Sequence, residues 1–285
     1  MLGIDAKTQL FGLIGYPLAQ THSPRLQNAA LSAMGLNGVY LAMPTAPERL
    51  ASAVGAMRAW PVGGFNVTVP HKVAVMEFLD AISPEAERIG AVNTISREGD
   101  RLVGHNTDHV GFLAMLAGIP LPERAIILGA GGSSRAVAFA LASVGVGEIL
   151  FAVRRAGASR EVVSSLRFPD VGWQEVLFGS PALRSALPGT CLVVNTTPVG
   201  MAPEIDASAL DADALALLPP QAAVLDLVYS PAETRLLRLA RERGHPTRNG
   251  LTMLIAQAAA AFSIWTGVQA PEKAWHDALH GILEH

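Results

Sequence analysis

A continuous apolar run that leads into a cluster of glycines is the feature that most restricts the fold of this chain. The run Ala125-Ile126-Ile127-Leu128 has the composition of a strand that is covered on both faces. It is followed at once by Gly129-Ala130-Gly131-Gly132-Ser133-Ser134 and then by a helical pattern through Val144. A strand, a glycine-rich turn and a helix in this order predict the phosphate-binding turn of a dinucleotide-binding βαβ unit.

The glycines of this turn have separate predicted tasks. Gly129 permits a tight turn, whereas Gly131 and Gly132 let the backbone approach a pyrophosphate at the N-terminus of the helix. Ser134 stands where a third glycine is usual, and it is small enough for close packing. A glycine turn without a ligand is the alternative. The predicted cofactor contacts of the turn are Gly129, Ala130, Gly131, Gly132 and Ser133.

The end of the next predicted strand indicates which dinucleotide is bound. An NAD site usually places Asp or Glu there for the ribose hydroxyl, and this chain has Val153-Arg154-Arg155. Two guanidinium groups suit a 2′-phosphate, so we predict NADP(H) as the cofactor. A solvated arginine pair is the alternative. The missing acid also disfavours a methyltransferase, whose adenosyl ribose normally needs one.

Composition excludes several classes of function. The chain has 285 residues, 50% of them hydrophobic, which predicts two domains with substantial cores. A net charge of −3 without a basic run argues against nucleic acid as a partner. The single cysteine, Cys191, cannot form an internal disulfide, and we interpret it as packing in a buried strand. We predict no metal site.

The sequence also predicts where the protein is located. Asp5 and Lys7 precede only a short apolar run, unlike a signal peptide. The longest apolar helix pattern, 251–265, contains Gln257 and is too short to cross a bilayer. We therefore expect a soluble cytoplasmic protein without a membrane partner, as a monomer or a homodimer.

Strand and helix patterns alternate along the chain, which predicts an α/β protein with mainly parallel sheets. Ser23 and Ser83, each followed by proline, are assigned as helix N-caps. Strands are predicted at 10–14, 39–42, 63–69, 125–128, 148–153, 191–194, 222–228 and 245–248, with a hairpin of 91–96 and 101–103. Helices are predicted from 23 to Gly35, at 47–60, from 84 to Gly90, through Val144, and at 231–243, 251–265 and 271–283.

One lysine lies at a position where its chemistry is informative. Only three of the 21 basic residues are lysines, namely Lys7, Lys72 and Lys273. Lys72 follows the predicted strand that Pro70 ends. Lysine can release and regain a proton, whereas a guanidinium stays protonated. Lys72 is therefore a candidate catalytic acid, and an exposed helix start is the alternative.

Polar side chains gather at the ends of the elements before residue 110. Each has a local alternative: Ser23 can be only an N-cap, and Asp108 can cap a helix that starts near His109. Together they provide hydroxyl, amide, carboxylate and ammonium groups that suit a small polyhydroxylated acid. The set comprises Thr21, Ser23, Asn66, Thr68, Lys72, Asn93, Asn106, Thr107 and Asp108.

Seven spaced segments resemble the shikimate dehydrogenase family, and they extend over nearly the whole chain. The resemblance implies NADPH-dependent reduction of 3-dehydroshikimate to shikimate. It also implies a split substrate domain, 1–108 plus 250–285, a Rossmann-type NADP domain at 109–249, and ligands in the cleft between them. The segments are Thr21-His22-Ser23-Pro24, Asn66-Val67-Thr68-Val69-Pro70-His71-Lys72, Ala91-Val92-Asn93-Thr94, Asn106-Thr107-Asp108, the Gly129 turn, Asn195-Thr196-Thr197-Pro198-Val199-Gly200-Met201 and Asn249-Gly250-Leu251-Thr252-Met253-Leu254-Ile255-Ala256-Gln257.

The resemblance assigns a role to each candidate residue. Lys72 and Asp108 would form the catalytic pair. The ring hydroxyls would be bound by Asn93, Thr68 and Gln257, although Gln257 can instead be a satisfied buried amide. The substrate carboxylate would be held by Thr21, Ser23 and Tyr229, and further cofactor contacts would come from Thr196 and Gly250.

Four departures from the family pattern leave the substrate open. The family usually has Ser at Thr21, Asn-Arg-Thr at Val153-Arg154-Arg155, Asp at His105 in many members, and Asp at Asn249. Quinate, or another hydroaromatic acid, is the rival substrate. The alternative of another class is a non-catalytic dinucleotide-binding sensor, against which the presence of both Lys72 and Asp108 argues.

Overall fold

The structure is a computed structural model that describes residues 4–19, 21–269 and 271–279. Its strands are β1 Gln9–Gly15, β2 Gly38–Pro44, β3 Val62–Val67, β4 Ala81–Ile82, β5 Thr94–Glu98, β6 Arg101–His105, β7 Arg124–Leu128, β8 Glu148–Val153, β9 Gly172–Leu177, β10 Leu192–Asn195, β11 Ala223–Asp226 and β12 Thr247–Arg248.

The α-helices are α1 Ser23–Ala33, α2 Leu50–Ala59, α3 Pro84–Ile89, α4 Asp108–Leu116, α5 Gly132–Ser143, α6 Arg160–Leu166, α7 Pro181–Ala186, α8 Ala212–Leu215, α9 Arg235–Glu242, α10 Leu251–Thr266 and α11 Glu272–Leu279. Short 3₁₀ helices occur at Pro47–Arg49, Ala74–Phe78 and Leu187–Gly189.

The described residues divide into two compact units. The first unit contains those up to Gly111 and those from Ile255 onward, and the second contains Phe112–Leu254. We predicted boundaries at 108/109 and 249/250, close to the starts of α4 and α10. The observed divisions fall inside these two helices.

The sheet of the first unit has the strand order β2-β1-β3-β5-β6-β4. β1 is parallel to β2 and β3, whereas β5 is antiparallel to both β3 and β6. Its core includes Ile14, Phe65 and Ile95. Asn66 is paired with Thr94, and Thr94 is paired with His105, so the end of β3, the start of β5 and the end of β6 share one edge.

The sheet of the second unit has the order β12-β11-β10-β7-β8-β9, with every pairing parallel. Its central strands are apolar and buried, as expected when helices cover both faces. Asn195 is paired with both Leu128 and Asp226, and Leu128 is paired with Ala152. The carboxyl ends of these strands therefore lie at one edge, where open α/β sheets bind ligands.

The α/β prediction is confirmed, and several boundaries are wrong. β3 ends at Val67, because the Thr68 carbonyl accepts from His71 N–H at 2.9 Å and closes a turn. Cys191 lies just before β10 and is only half-buried. α9 begins four residues later than predicted, where Thr234 caps it.

Other elements were missed or are only partly described. The sequence analysis did not predict β4, β9, α6, α7 or α8. Ser23 is not the N-cap of α1; His22 takes that position, and Ser23 lies in the first turn. Within the helix predicted at 271–283, the structure shows α11, and residues 280–283 lie outside the described residues. No helix in the described residues is long and apolar enough to cross a membrane.

Candidate active site

The turn after β3 holds Lys72 through its backbone. His71 is buried, and its ring Nε2 lies 2.7 Å from the carbonyl oxygen of Thr45. The Lys72 carbonyl accepts from Val92 N–H at 2.7 Å. The backbone on both sides of the Lys72 side chain is therefore fixed, and the alternative that Lys72 is an exposed helix start is wrong, since its side chain is 10% exposed.

Asp108 is the first residue of α4, and the side chain of Asn106, rather than the Asp108 carboxylate, caps this helix. Asn106 Oδ1 accepts from the N–H of Asp108 at 3.0 Å and from that of His109 at 3.4 Å. Asn106 Nδ2 donates to the Ala91 carbonyl at 2.9 Å. Asn106 therefore satisfies the helix terminus, and the interpretation of Asp108 as only an N-cap is wrong.

Lys72 and Asp108 form a buried ion pair. Lys72 Nζ lies 2.6 Å from Asp108 Oδ2, and the two side chains are 10% and 8% exposed. The other carboxylate oxygen, Oδ1, accepts from Asn93 Nδ2 at 2.8 Å. Asn93 Oδ1 in turn accepts from Thr107 N–H at 2.7 Å, which sets the orientation of the amide. Three candidate residues distant in sequence thus form one cluster.

A second layer of buried polar groups supports Asn93. Asn66 Nδ2 donates to the Asn93 carbonyl and to Thr94 Oγ1, both at 3.2 Å. Tyr40 donates its hydroxyl to Asn66 Oδ1 at 2.7 Å. Burial raises the pKa of Tyr40 well above its usual value, so the phenol stays protonated. Asn66 is therefore a buried residue that supports the cluster of Lys72, Asp108 and Asn93 through its hydrogen bond to the Asn93 backbone.

The other candidate substrate residues of the first unit lie on separate elements. Thr21 Oγ1 accepts from Ser23 N–H at 3.3 Å, so both hydroxyls lie at the start of α1. Thr68 is half-buried in the turn before Lys72. Gln257 is half-buried on α10.

The glycine turn after β7 leaves open space in front of the N-terminus of α5. Gly129 has φ +104°, and a Cβ there would lie 2.9 Å from Thr197 Cγ2. Gly131 is exposed, and a Cβ there would meet no described atom within 4 Å. Gly131 is the N-cap of α5 and no side chain caps that terminus in the described residues, so the turn offers N–H groups to an anion. Gly132 begins α5, and the half-buried residues Ala130 and Ser133 flank Gly131 and Gly132.

The remaining cofactor candidates lie at the same edge of the second sheet. Thr196 Oγ1 donates to the Leu128 carbonyl at 2.7 Å, which ties the loop after β10 to the start of the glycine turn. Gly250 is buried, and a Cβ there would lie 2.0 Å from the Leu227 carbonyl oxygen. Glycine is required at 250 for this backbone contact. Tyr229, a substrate candidate rather than a cofactor candidate, follows β11 and is half-buried.

Arg154 and Arg155 follow β8 directly. Both residues are exposed, and neither takes part in a salt bridge within the described residues. Their charges are thus available to a phosphate at the strand ends. The residues present fit a dinucleotide with a phosphorylated ribose.

Asp226 is a buried acid that the sequence analysis did not single out. Asp226 Oδ1 accepts from Asn195 Nδ2 at 2.9 Å and from Val228 N–H at 3.0 Å, and Oδ2 accepts from Thr234 at 2.7 Å. Burial raises its pKa to about 6, against the lowering effect of these three hydrogen bonds. Asn195 also accepts from Thr197, so Asp226 supports the loop of Thr196.

The described residues contain no group of three or more His, Cys, Asp or Glu that could hold a metal ion.

Comparisons with known proteins agree with this arrangement. A model of the shikimate dehydrogenase substrate binding domain matches residues 13–95, and a model of the shikimate 5′-dehydrogenase C-terminal domain matches 250–280. The shikimate dehydrogenase (NADP(+)) of Moorella thermoacetica is 45% identical over 275 residues, covering 95% of this chain and 92% of the relative. The chain belongs to the shikimate dehydrogenase family.

Solved structures of shikimate dehydrogenases and related enzymes have the same fold. The shikimate 5-dehydrogenase of Thermus thermophilus, in complex with NADP(H) and shikimate, is 37% identical with a TM-score of 0.84, covering 96% of this chain and 99% of that one. The quinate dehydrogenase of Corynebacterium glutamicum, in complex with NAD, is 31% identical with a TM-score of 0.87, covering 96% and 99%.

Two of the residues that depart from the shikimate dehydrogenase pattern make defined contacts in the structure. Asn249 Oδ1 accepts from Leu251 N–H at 3.2 Å, as the usual Asp could, and its Nδ2 donates to the Ala232 carbonyl at 2.8 Å. His105 lies 2.9 Å from Ser96 Oγ through its Nε2, and burial lowers its pKa, so it is neutral at physiological pH.

Sequence reasoning gave no supporting role to three residues of the second unit. Asp226 was not singled out, and Asn195 entered only as the first residue of a segment shared with the shikimate dehydrogenase family, although a single polar residue at the end of an apolar strand was a usable signal. Glu175, which accepts hydrogen bonds from Gly157 and Ser159, lies on β9, and that strand was not predicted.

Proposed function

We propose that this chain catalyses the reversible, NADPH-dependent reduction of 3-dehydroshikimate to shikimate, with Lys72 and Asp108 as the catalytic pair. The observation that carries the assignment of the pair is the buried contact of 2.6 Å between Lys72 Nζ and Asp108 Oδ2. The likeness to NADP-dependent shikimate dehydrogenases over 95% of the chain supports the reaction and the cofactor. The two residues make an enzyme, rather than a cofactor sensor, the function that best fits the site.

The pair supplies the proton chemistry of the reaction. When bound, NADPH supplies the hydride that the C3 carbonyl of the substrate receives. The Lys72 ammonium stabilises the negative charge that develops on the carbonyl oxygen and donates a proton to it. Such a positioned acid contributes about 10²–10⁴-fold to the rate. In the direction of oxidation, the neutral amine left by that donation takes the proton back from the same hydroxyl, while the hydride returns to NADP.

Asp108 has two tasks in this proposal. Its Oδ2 holds the Lys72 ammonium group, and the carboxylate orients the reacting hydroxyl of shikimate. Asn93 restrains the carboxylate from the other side, through the 2.8 Å contact with Oδ1. Because both charges are mostly shielded from water, their interaction with the reacting atoms is stronger than in solution.

The substrate is bound through its hydroxyls and its carboxylate. Asn93, Thr68 and Gln257 bind the ring hydroxyls. The carboxylate is bound by Thr21, Ser23 and Tyr229, and the position of Ser23 in the first turn of α1 supports this, since anions are favoured at helix N-termini.

The cofactor is held by the second unit. The N-terminus of α5 would hold the pyrophosphate, and Arg154 and Arg155 would hold the 2′-phosphate. We infer a substrate domain at 1–108 plus 250–285 and an NADP domain at 109–249. The full proposed cofactor set is Gly129, Ala130, Gly131, Gly132, Ser133, Arg154, Arg155, Thr196 and Gly250.

Quinate is a second candidate substrate. Thr21 adds a methyl group where shikimate dehydrogenases usually have serine, and the quinate dehydrogenase of C. glutamicum is 31% identical to this chain. The arginine pair after β8 nevertheless favours NADP(H) for either substrate.

One assay with the purified chain tests the function. Shikimate and quinate are each combined with NADP and with NAD, and the absorbance of reduced nicotinamide is followed. We expect the largest kcat/KM with shikimate and NADP. Preference for quinate would move the substrate assignment to the second candidate. Absence of any cofactor reduction would refute the enzyme assignment and revive the sensor.

The cellular location, oligomeric state and macromolecular partners of the protein stay predictions. We expect a cytoplasmic monomer or homodimer with no nucleic-acid partner, which fractionation and gel filtration would test.

A further inference from the structure

The loop between β8 and α6 carries Arg154 and Arg155 and is tied to β9 by a single carboxylate. Glu175 Oε1 accepts from Gly157 N–H at 2.6 Å. Glu175 Oε2 accepts from the N–H of Ser159 at 2.8 Å and from its hydroxyl at 2.6 Å. One side chain thus binds both ends of the stretch 157–159, which begins two residues after Arg155.

Glu175 reaches this loop from the neighbouring strand. It is paired with Phe151, two residues before β8 ends at Val153, so its side chain extends forward along the sheet. The loop also closes on itself, since Ala158 N–H donates to the Arg155 carbonyl at 3.3 Å. Gly157 has φ +81°, a conformation that glycine adopts readily and other residues rarely do.

The charge of Glu175 makes these contacts strong. Burial raises its pKa, but the hydrogen bonds from Ser159 and Gly157 and the charge of Arg160 outweigh burial, and the pKa is lowered. The carboxylate is therefore ionised at neutral pH, and charge-assisted hydrogen bonds of this kind are stronger than neutral ones. Because Glu175 occupies these N–H groups, they are not available to a phosphate. The loop offers a phosphate the two exposed guanidinium groups instead.

We propose that Glu175 is a positioning residue that sets the preference for NADP over NAD by holding the loop of Arg154 and Arg155. The proposal rests on the proposed function, because it requires that the two arginines bind the 2′-phosphate. Glu175 itself touches neither the cofactor nor the substrate. It acts by restricting the loop before binding, so that less conformational entropy is lost when the guanidinium groups engage the phosphate.

Dissociation constants of NADP and NAD for the full chain provide the test, measured by isothermal titration calorimetry. For Glu175→Ala we expect the NADP constant to rise about tenfold and the NAD constant to stay within about twofold, since NAD lacks the phosphate that the loop binds. Glu175→Gln retains an acceptor oxygen, so we expect a smaller loss. An equal rise of both constants would overturn the proposal, because it would show a merely structural role.

Glu148→Gln is the matched control. Glu148 lies at the opposite end of β8, where its carboxylate accepts from Arg124 at 2.7 Å and from Gln174 at 2.6 Å. This substitution also removes a carboxylate that joins β8 to β9, without touching the arginine loop. We expect the ratio of the two constants to be unchanged. A ratio that falls as it does in Glu175→Ala would overturn the proposal.

A variant of both arginines separates this proposal from the cofactor assignment. We expect the double substitution Arg154→Ala, Arg155→Ala to remove the preference for NADP, and Glu175→Ala added to it to cause no further loss. If the arginine variant loses the preference and Glu175→Ala keeps it, the role of Glu175 is refuted and the cofactor assignment stands. If the arginine variant keeps the preference, both fail.

Discussion

At the scale of single residues, the candidate site depends on which side chain caps α4. Asn106 and Asp108 are both good caps, and they stand two positions apart. In the structure Asn106 accepts from the helix terminus, and the Asp108 carboxylate is left to bind Lys72 and Asn93. The Asp108 carboxylate is thus left to contact Lys72 because Asn106 caps the helix.

The replacement Lys72→Ala tests the proposed acid. We expect kcat to fall by about 10²–10⁴-fold with little change in KM, since the ammonium acts on charge that develops during the reaction. Steady-state kinetics with shikimate and NADP provide both values. A melting curve is needed as well, because the change leaves Asp108 without its partner in a buried site.

Lys273→Ala is the control for this experiment. Lys273 forms an exposed ion pair with Asp277 at 2.8 Å, so its loss removes a lysine and a salt bridge without touching the site. We expect unchanged kinetics. A large rise in KM with kcat preserved in Lys72→Ala would make Lys72 a binding residue only.

Thr21 is the residue at which substrate choice is expected to be decided. Its hydroxyl caps Ser23 N–H at 3.3 Å, and serine can keep this hydrogen bond without the methyl group. We therefore expect Thr21→Ser to change the ratio of kcat/KM for shikimate to that for quinate, with stability nearly unchanged. If the ratio is the same in both proteins, Thr21 does not select the substrate.

At the scale of elements, α10 packs on β3 through a glycine. Trp265 on α10 donates its Nε1–H to the Ile95 carbonyl at 2.9 Å. A Cβ at Gly64 would lie 2.2 Å from the ring of Trp265 and 2.8 Å from that same carbonyl oxygen. Helix and sheet can therefore approach this closely only if residue 64 has no side chain.

We expect Gly64→Ala to lower the free energy of unfolding by about 1–3 kcal/mol, as overpacking of a core does. Urea denaturation gives the value. Gly55→Ala is the control, because Gly55 lies in α2 and a Cβ there meets no described atom within 4 Å. Alanine is the better helix former, so this variant is expected to gain up to about 1 kcal/mol. Equal losses in both variants would contradict the packing argument.

Asp226 joins the ends of β10 and β11 through its hydrogen bond with Asn195. Its raised pKa predicts that the stability of the folded chain depends on pH. In the folded chain the pKa is about 6, above the usual value of 3.8. Between these values the folded carboxyl keeps its proton while the unfolded one has lost it. Asp226 therefore contributes stability at low pH that is lost as the pH rises through about 6, a change of about 3 kcal/mol.

Asp226→Asn isolates this contribution. The amide oxygen can still accept from Asn195 and Val228, and the side chain no longer titrates. We expect the stability of the variant relative to the parent to increase by about 2–3 kcal/mol from pH 4 to pH 7, as measured by urea denaturation at each pH. Other titrating groups cancel in the difference. Parallel stability curves would show that Asp226 does not titrate in this range.

At the scale of the whole molecule, the chain has two compact units, and each has its own core. Ile14, Phe65 and Ile95 belong to one core, and Ile126 and Val193 belong to the other. The proposed catalytic pair lies in the first unit and the glycine turn lies in the second. The proposed function therefore assigns most contacts of each ligand to a different unit.

Hydrogen exchange tests this division. We expect NADP alone to slow exchange at 129–134, 154–160 and 196–200, and shikimate alone to slow it at 66–72, 93–94 and 106–111. Mass spectrometry of peptides reports both sets, and β2, which carries none of the proposed residues, serves as the internal reference. Protection at 66–72 by NADP alone, without protection of the glycine turn, would contradict the assignment.

Much of the fold was predictable, because its signals are local. The apolar run of β7 with its glycine turn, the hairpin of β5 and β6, and the cap of α3 by Ser83 each depend on neighbouring residues. β9 was not predictable, because Trp173, Gln174 and Glu175 do not alternate between apolar and polar residues as a half-buried strand should. This strand is stabilised by its pairing with β8.

The sequence by itself determined the α/β class, the dinucleotide turn, the arginine pair and the polar residues of the site, since residue type and spacing suffice for these. Only the tertiary structure decided what those polar residues do. It gave the capping task to Asn106, brought Lys72 to 2.6 Å from Asp108, and attached Glu175 to the arginine loop. These contacts join positions distant in the chain, and their partners are chosen by strand register and burial, which no local pattern encodes.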